Sequence, residues 1–203
     1  MKGLPEGFFT RTSTFEDAEE VAALLSAGAF PGSGEEGMTP EEIRDDWEDI
    51  DLTEEAIAVI SPDGRIAGYA DVVNRSFVAV SVYGYVHPEF RGRGIGTYLA
   101  EWGEDWTRDR IPLAPGDARV SVTHYVSARN TAARSLLEGA GYAPVRGTYV
   151  MNIQLRDASP APEWPEGITV NTFVPGRDER AVRRDGGAGG LRSRAVVPGY
   201  GRR

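Results

Sequence analysis

The chain has 203 residues, 40% hydrophobic and 26% charged, ordinary proportions for a globular domain with a real core and unlike a disordered or collagen-like chain. It has no cysteine and two histidines, His87 and His124, which excludes disulfides, thiolate-metal sites and a cysteine nucleophile and argues against a histidine-built metal centre. The formal net charge is −9, and since residues 183–203 hold six arginines against one aspartate, the remaining 16 basic and 30 acidic residues leave a body at −14, unsuited to nucleic acid.

Gly7–Ser13 reads as a first strand, with Phe8, Phe9, Thr10 and Thr12. Thr14 with Asp17 three residues later forms a capping box, and Val21, Leu24 and Leu25 at helical spacing predict a helix over Phe15–Ala27. Pro31–Met38 is a glycine-rich loop. Thr39, Pro40 and Glu42 mark the start of an acidic helix, Thr39–Asp51, with Ile43, Trp47 and Ile50 as its apolar stripe. Strands follow at Ala56–Ser61, Arg65–Asn74 and Phe77–Val86, the first two joined by a Pro62-Asp63-Gly64 turn. A helix is predicted over Ile95–Arg108, a loop over Pro112–Asp117, a strand over Arg119–Val126, a helix over Asn130–Gly139 and a broken strand pair around Gly147 within Tyr142–Leu155. A meander followed by β-α-β-α-β predicts an α/β fold: a mixed antiparallel and parallel sheet with helices on both faces.

Residues 1–157 make up this domain, and the proline-rich stretch 158–166 reads as a linker. Gly167–Phe173 reads as a strand and Pro175–Val182 as a helix start. The segment 167–184 is either a last strand of the same domain or the beginning of a second copy, since Gly167-Ile168-Thr169-Val170 echoes Gly7-Phe8-Phe9-Thr10. Residues 185–203, rich in glycine and arginine, are expected to be a disordered tail, with the second copy truncated or read out of frame at this junction.

The segment that carries chemistry is Val86-His87-Pro88-Glu89-Phe90-Arg91-Gly92-Arg93-Gly94-Ile95-Gly96-Thr97, between a strand and an amphipathic helix. Its glycines let successive amides turn toward one point, and the helix adds unsatisfied N–H groups and a positive dipole end. This suits a phosphate or pyrophosphate, with Arg91 and Arg93 on the rim. A P-loop needs a Gly-Lys-Ser/Thr ending, and the only lysine is Lys2; the spacing G-x-G-x-G after a meander also departs from a dinucleotide fingerprint.

Arg91-x-x-Gly94-x-Gly96 resembles the coenzyme A pyrophosphate loop of the Gcn5-related N-acetyltransferases (GNAT), and Asn130-x-x-Ala133-x-x-Leu136-Leu137-x-x-x-Gly141-Tyr142 is similar to that family's next helix. The resemblance spans about residues 6–156. It implies the acyl-CoA N-acyltransferase fold, with acetyl-CoA as acetyl donor, its pyrophosphate on the amides of Gly92, Arg93, Gly94, Ile95, Gly96 and Thr97, and its pantetheine arm along Tyr85 and Val86 with a hydrogen bond to Asn130. The arm would enter a cleft where the strand ending at Val86 splays from the strand ending at Val126. The implied reaction is direct attack of a primary amine of a small molecule on the thioester. The family's acid is often a tyrosine after the leucine of the second motif; here that position is Leu137, which cannot donate a proton. His124 is a candidate base and Tyr142 a candidate acid, while His87 and Glu89 shape the turn. A second reading makes residues 1–157 a cofactor-binding or structural module of a tandem member of the mycothiol synthase type. With no apolar run of 18 residues and no secretory leader in Met1–Phe9, the expected partners are a small amine and acetyl-CoA, not a membrane or nucleic acid. A homodimer is compatible with this reading, and the expected location is cytoplasmic.

Overall fold

In the computed structural model, the residues described are 3–29, 37–149, 163, 165–167, 170, 172, 174 and 199–201. The chain divides into two units, Met1–Val150 with Val196–Arg203, and Met151–Ala195. The second has no helix or strand among its described residues. The first contains strands β1 (Phe9–Arg11), β2 (Ala56–Ile60), β3 (Ile66–Arg75), β4 (Ala79–Val86), β5 (Ser121–Tyr125), β6 (Ala143–Arg146) and β7 (Gly199–Gly201). Its helices are α1 (Ala18–Gly28), α2 (Pro40–Trp47), α3 (Leu52–Glu55), α4 (Ile95–Arg110) and α5 (Thr131–Gly139). The sheet order is β1-β2-β3-β4-β5-β7-β6, antiparallel except for the parallel pair β4 and β5.

Alternation along the strands sorts the core into two faces. Ala56, Ala58 and Ile60 of β2 face Val21 and Leu24 of α1 and Ile43 and Trp47 of α2. Val59 points the other way, into a cluster with Ala67, Ala70, Phe90, Ile95 and Leu99 under α4. Helices therefore cover both faces. Helix α4 lies so close to the sheet that a Cβ on Gly103 would sit 2.7 Å from both methyls of Val82. The capping boxes form at Thr14–Asp17 and Thr39–Glu42, where the Thr39 amide donates to Glu42 Oε2 at 2.8 Å.

Several boundaries shift. A 3-10 turn, Phe15–Asp17, precedes α1. Helix α2 stops at Trp47, and Asp51 caps the separate turn α3 by accepting from the Thr53 amide. Strand β4 begins at Ala79 rather than Phe77 because Ser76 and Phe77 take positive φ of 53° and 58° to turn the chain. The largest correction concerns the tail. Gly199–Gly201, expected to be disordered, form β7 between β5 and β6, with Tyr200 in register with His124 and Pro144. A three-residue strand with one side chain shows no alternation, so its pattern cannot announce it. Pro144, which lacks an amide proton, sits in the edge strand β6, where proline is tolerated. The loop residues 30–36, the second strand beyond Gly147, most of the linker and most of 167–184 lie outside the described residues.

Candidate active site

The glycine segment forms a continuous turn from the end of β4 to the start of α4. His87 opens a 3-10 turn, Pro88–Phe90, by accepting the Glu89 amide at Nδ1, 3.3 Å away. Glu89 is held by Arg65, whose Nη1 donates to Oε2 at 2.8 Å. Phe90 is buried beneath α4, and the guanidinium groups of Arg65 and Arg93 lie 5.0 Å and 5.5 Å from its ring centre. These contacts fix the turn and leave Arg91, Gly92, Arg93 and Gly94 exposed. Arg91 reaches toward the end of α1: its Nη2 lies 3.7 Å from the position a Cβ on Gly28 would take.

Gly92 and Gly94 have φ of +75° and +87°, a left-handed conformation that ordinary side chains adopt at a cost. Gly94 is the N-cap of α4, and the first helical bond runs from the Tyr98 amide to the Gly94 carbonyl at 3.0 Å. Among the described residues, no acceptor is found for the amides of Gly92 through Thr97. The first turn of α4 has no acidic residue, whereas those of α1, α2 and α3 each have two. The dipole end of this 16-residue helix therefore keeps its positive potential in an acidic protein. Among the described residues, a Cβ at Gly92 or Gly94 would meet nothing within 4 Å, which leaves room above the loop. Donors, field and room together fit a pyrophosphate.

Strand β4 outruns β5 beside the loop. β4 and β5 are paired from Ala79–Ser121 to Val82–His124, and β4 then continues through Tyr83, Gly84, Tyr85 and Val86 without β5 register partners. Tyr83 stacks on Tyr125 at 5.1 Å, with the rings 6° from parallel. Asn130 caps α5, its side-chain oxygen accepting from the Ala133 amide at 3.1 Å. Gly96 faces α5, where a Cβ would stand 3.2 Å from Leu136 Cδ1.

The two acid-base candidates form a pair. His124 Nε2 lies 3.3 Å from Tyr142 Oη, and the rings meet edge to face at 4.9 Å. They are only 6% and 3% exposed. Burial pushes the His124 imidazole down to about 4, so it is neutral at pH 7. Leu137 is buried beside Tyr142, Val126 and Ala100. A group that sequence reading missed is Asp71, a buried carboxylate within β3. Its only signal in the sequence is an acidic residue interrupting the apolar run Ile66-Ala67-Gly68-Tyr69-Ala70-Asp71-Val72-Val73.

A mixed sheet with a parallel β4–β5 pair, helices packed on both faces and a helix opening on bare amides make up an α/β fold of the acyltransferase type. The acetyltransferase (GNAT) family profile matches residues 19–142, and the chain belongs to this family. A GCN5-related N-acetyltransferase from Sphaerobacter thermophilus is 51% identical in sequence, with a TM-score of 0.77 over 90% of this chain and 58% of that one. The mycothiol acetyltransferase of Thermobispora bispora is 39% identical over 97 residues, 47% of this chain and 29% of that protein. The mycothiol acetyltransferase of Amycolatopsis mediterranei is 29% identical over 177 residues, 83% of this chain and 47% of that protein. The chain thus spans less than half the length of these curated relatives. The fold is also that of a putative acetyltransferase from Salmonella typhimurium solved with acetyl-CoA, at 19% identity and a TM-score of 0.55 over 70% of this chain and 82% of that one. Among the described residues no helix is long and apolar enough to cross a membrane, and no cluster of histidine and carboxylate side chains forms a metal site.

Proposed function

We propose that this chain is an acetyl-CoA-dependent N-acetyltransferase acting on a primary amine of a small molecule. The observation that carries the proposal is the run of open amides from Gly92 to Thr97 at the acid-free start of α4. In this reading those amides hold the pyrophosphate of the donor, Arg91 and Arg93 add charge at its rim, and the edge of Tyr85–Val86 pairs with the arm that follows. The donor supplies an acetyl group activated as a thioester. A backbone amide of β4 directed at the thioester oxygen would bind it more strongly as negative charge grows there, which lowers the barrier. The role left to Asn130 toward the arm is that of its amide nitrogen, because its oxygen caps α5. His124 and Tyr142 brace β5 against α5 rather than exchange protons with substrate, since neither side chain has appreciable contact with solvent. A thiol of pKa about 8.5 leaves without an obligatory acid, so Leu137 does not forbid turnover.

A second reading is favoured by one observation, the buried Leu137 where the family often carries a tyrosine. On that reading residues 1–157 bind the donor as a weakly active or structural module of a tandem acetyltransferase, followed by the linker 158–166 and, from 167 to 184, the start of a second module. A thiol-release assay with acetyl-CoA across a panel of small amines, run beside direct titration of CoA, separates the two. Binding with turnover supports the enzyme, binding without turnover supports the module, and no binding removes both.

A further inference from the structure

Two glycines of the layer between α4 and the sheet have a packing reason to be small. A Cβ on Gly68 of β3 would stand 2.8 Å from Ile95 Cγ2, and one on Gly103 of α4 would stand 2.7 Å from both methyls of Val82. Gly84 of β4 has no such reason. Its φ is not positive, so the backbone does not require glycine. Among the described residues, a Cβ there would meet nothing within 4 Å. Strand alternation puts Gly84 on the face covered by α4, between Val82 and Val86, which pack there, and beside its register partner Ala70, which is fully buried on that face. Gly84 itself is exposed, although β4 is an interior strand of the sheet. A glycine inside a strand weakens it and often marks the close approach of another group to the backbone. Solvent reaches the backbone here, two residues beyond the last register pair with β5. Val86, about 7 Å further along the strand, has its Cγ2 3.7 Å from the position a Cβ on Gly96 would take, within the run of open amides.

We infer that Gly84 sets the length of the donor's acyl chain: the room over it receives the acyl group and admits straight chains longer than acetyl, up to butyryl at least. The inference rests on the acetyltransferase reading above and names the donor class. An arm that starts on the amides of Gly92 to Thr97 and follows Val86 and Tyr85 meets Gly84 next, so the end of the donor arrives where the strand carries no side chain. Val82, Val86 and Ala70 make the rim apolar, and each methylene that leaves water against them adds to binding. A side chain at position 84 takes that volume from the acyl chain and leaves the amide run untouched.

The test is isothermal titration of wild type and Gly84→Val with CoA, acetyl-CoA and butyryl-CoA, with the melting temperature measured alongside; it requires no acceptor. Wild type is expected to bind butyryl-CoA within about 3-fold of acetyl-CoA or more tightly, and Gly84→Val to weaken butyryl-CoA by at least about 10-fold while CoA stays within about 3-fold. Weakening of CoA and butyryl-CoA by the same factor assigns the room to the arm and overturns the inference, as does no weakening of either. Wild type that binds acetyl-CoA but holds butyryl-CoA more than about 10-fold more weakly overturns the inference and leaves the acetyltransferase reading standing. Wild type that binds none of the three contradicts that reading and takes this inference with it. Should Gly84→Val fail to fold, Gly84→Ala adds a single methyl that meets no atom of the described residues within 4 Å. It is expected to weaken butyryl-CoA relative to CoA by about 3-fold or more, and an unchanged ratio overturns the inference.

Discussion

The substitution Gly94→Asp tests the anion site with little steric ambiguity. Among the described residues, a Cβ at Gly94 meets no heavy atom within 4 Å, so the new side chain clashes with none of them. Two effects remain. The backbone holds φ of +87°, which costs a non-glycine residue about 1 kcal/mol, or about 2–4 °C in Tm for a chain of this size. The carboxylate then stands at the N-cap of α4, among the amides assigned to the pyrophosphate. At about 5 Å and an effective dielectric of about 20, each phosphate charge is repelled by about 3 kcal/mol. Affinity for acetyl-CoA should therefore fall by more than about 100-fold, read by isothermal titration. Gly64→Asp is the control: φ is +86°, no atom of the described residues lies within 4 Å of its Cβ, and it belongs to the turn between β2 and β3. It should cost similar stability and leave affinity intact. Acetyl-CoA binding by Gly94→Asp within about 3-fold of wild type would refute the reasoning.

Other expectations concern the fold. Gly103→Ala places a methyl 2.7 Å from both Val82 methyls and should destabilise by about 1–3 kcal/mol through displacement of α4, measured by urea unfolding; an unchanged midpoint would show that the helix moves freely. His124 is held near 4 by burial, below its ordinary value of 6.5. Its depressed pKa means the unfolded chain takes up the proton first as pH falls, so this stability is complete above pH 6.5 and lost on the way to 4. Between pH 7.5 and 5 the loss attributable to His124 is about 2 kcal/mol. His124→Leu should remove that part of the slope, and identical pH profiles for variant and wild type would contradict the buried neutral imidazole.

The features legible in the sequence were those written in local chemistry. Thr39, Pro40 and Glu42 announce a helix start through capping groups a few residues apart, and α2 begins there. The short apolar run Ala56–Ile60 reads as a strand, and in the structure it is covered on both faces, with its residues divided between two core clusters. The glycine pattern before Leu99 marks a left-handed turn into a helix, because few other residues accept that conformation. What stayed hidden depends on residues brought together from afar. His124 and Tyr142 are joined only after α5 folds back over β5. Asp71 looks like a fault in an apolar strand until Trp47 and Tyr69 are seen to orient it. Ser76 and Phe77 take positive φ with no glycine to signal it, and the strand at Gly199–Gly201 is too short for any pattern.

The central claim, that main-chain amides ahead of α4 grip a diphosphate, is tested most directly by following amide resonances of the ¹⁵N-labelled chain while CoA is added. Resonances of Gly92, Arg93, Gly94, Ile95, Gly96 and Thr97 should shift with a single saturating isotherm, and inorganic pyrophosphate should move the same set more weakly. Saturable CoA binding that leaves these six amides unmoved, with the shifts clustered on another part of the chain, would contradict it.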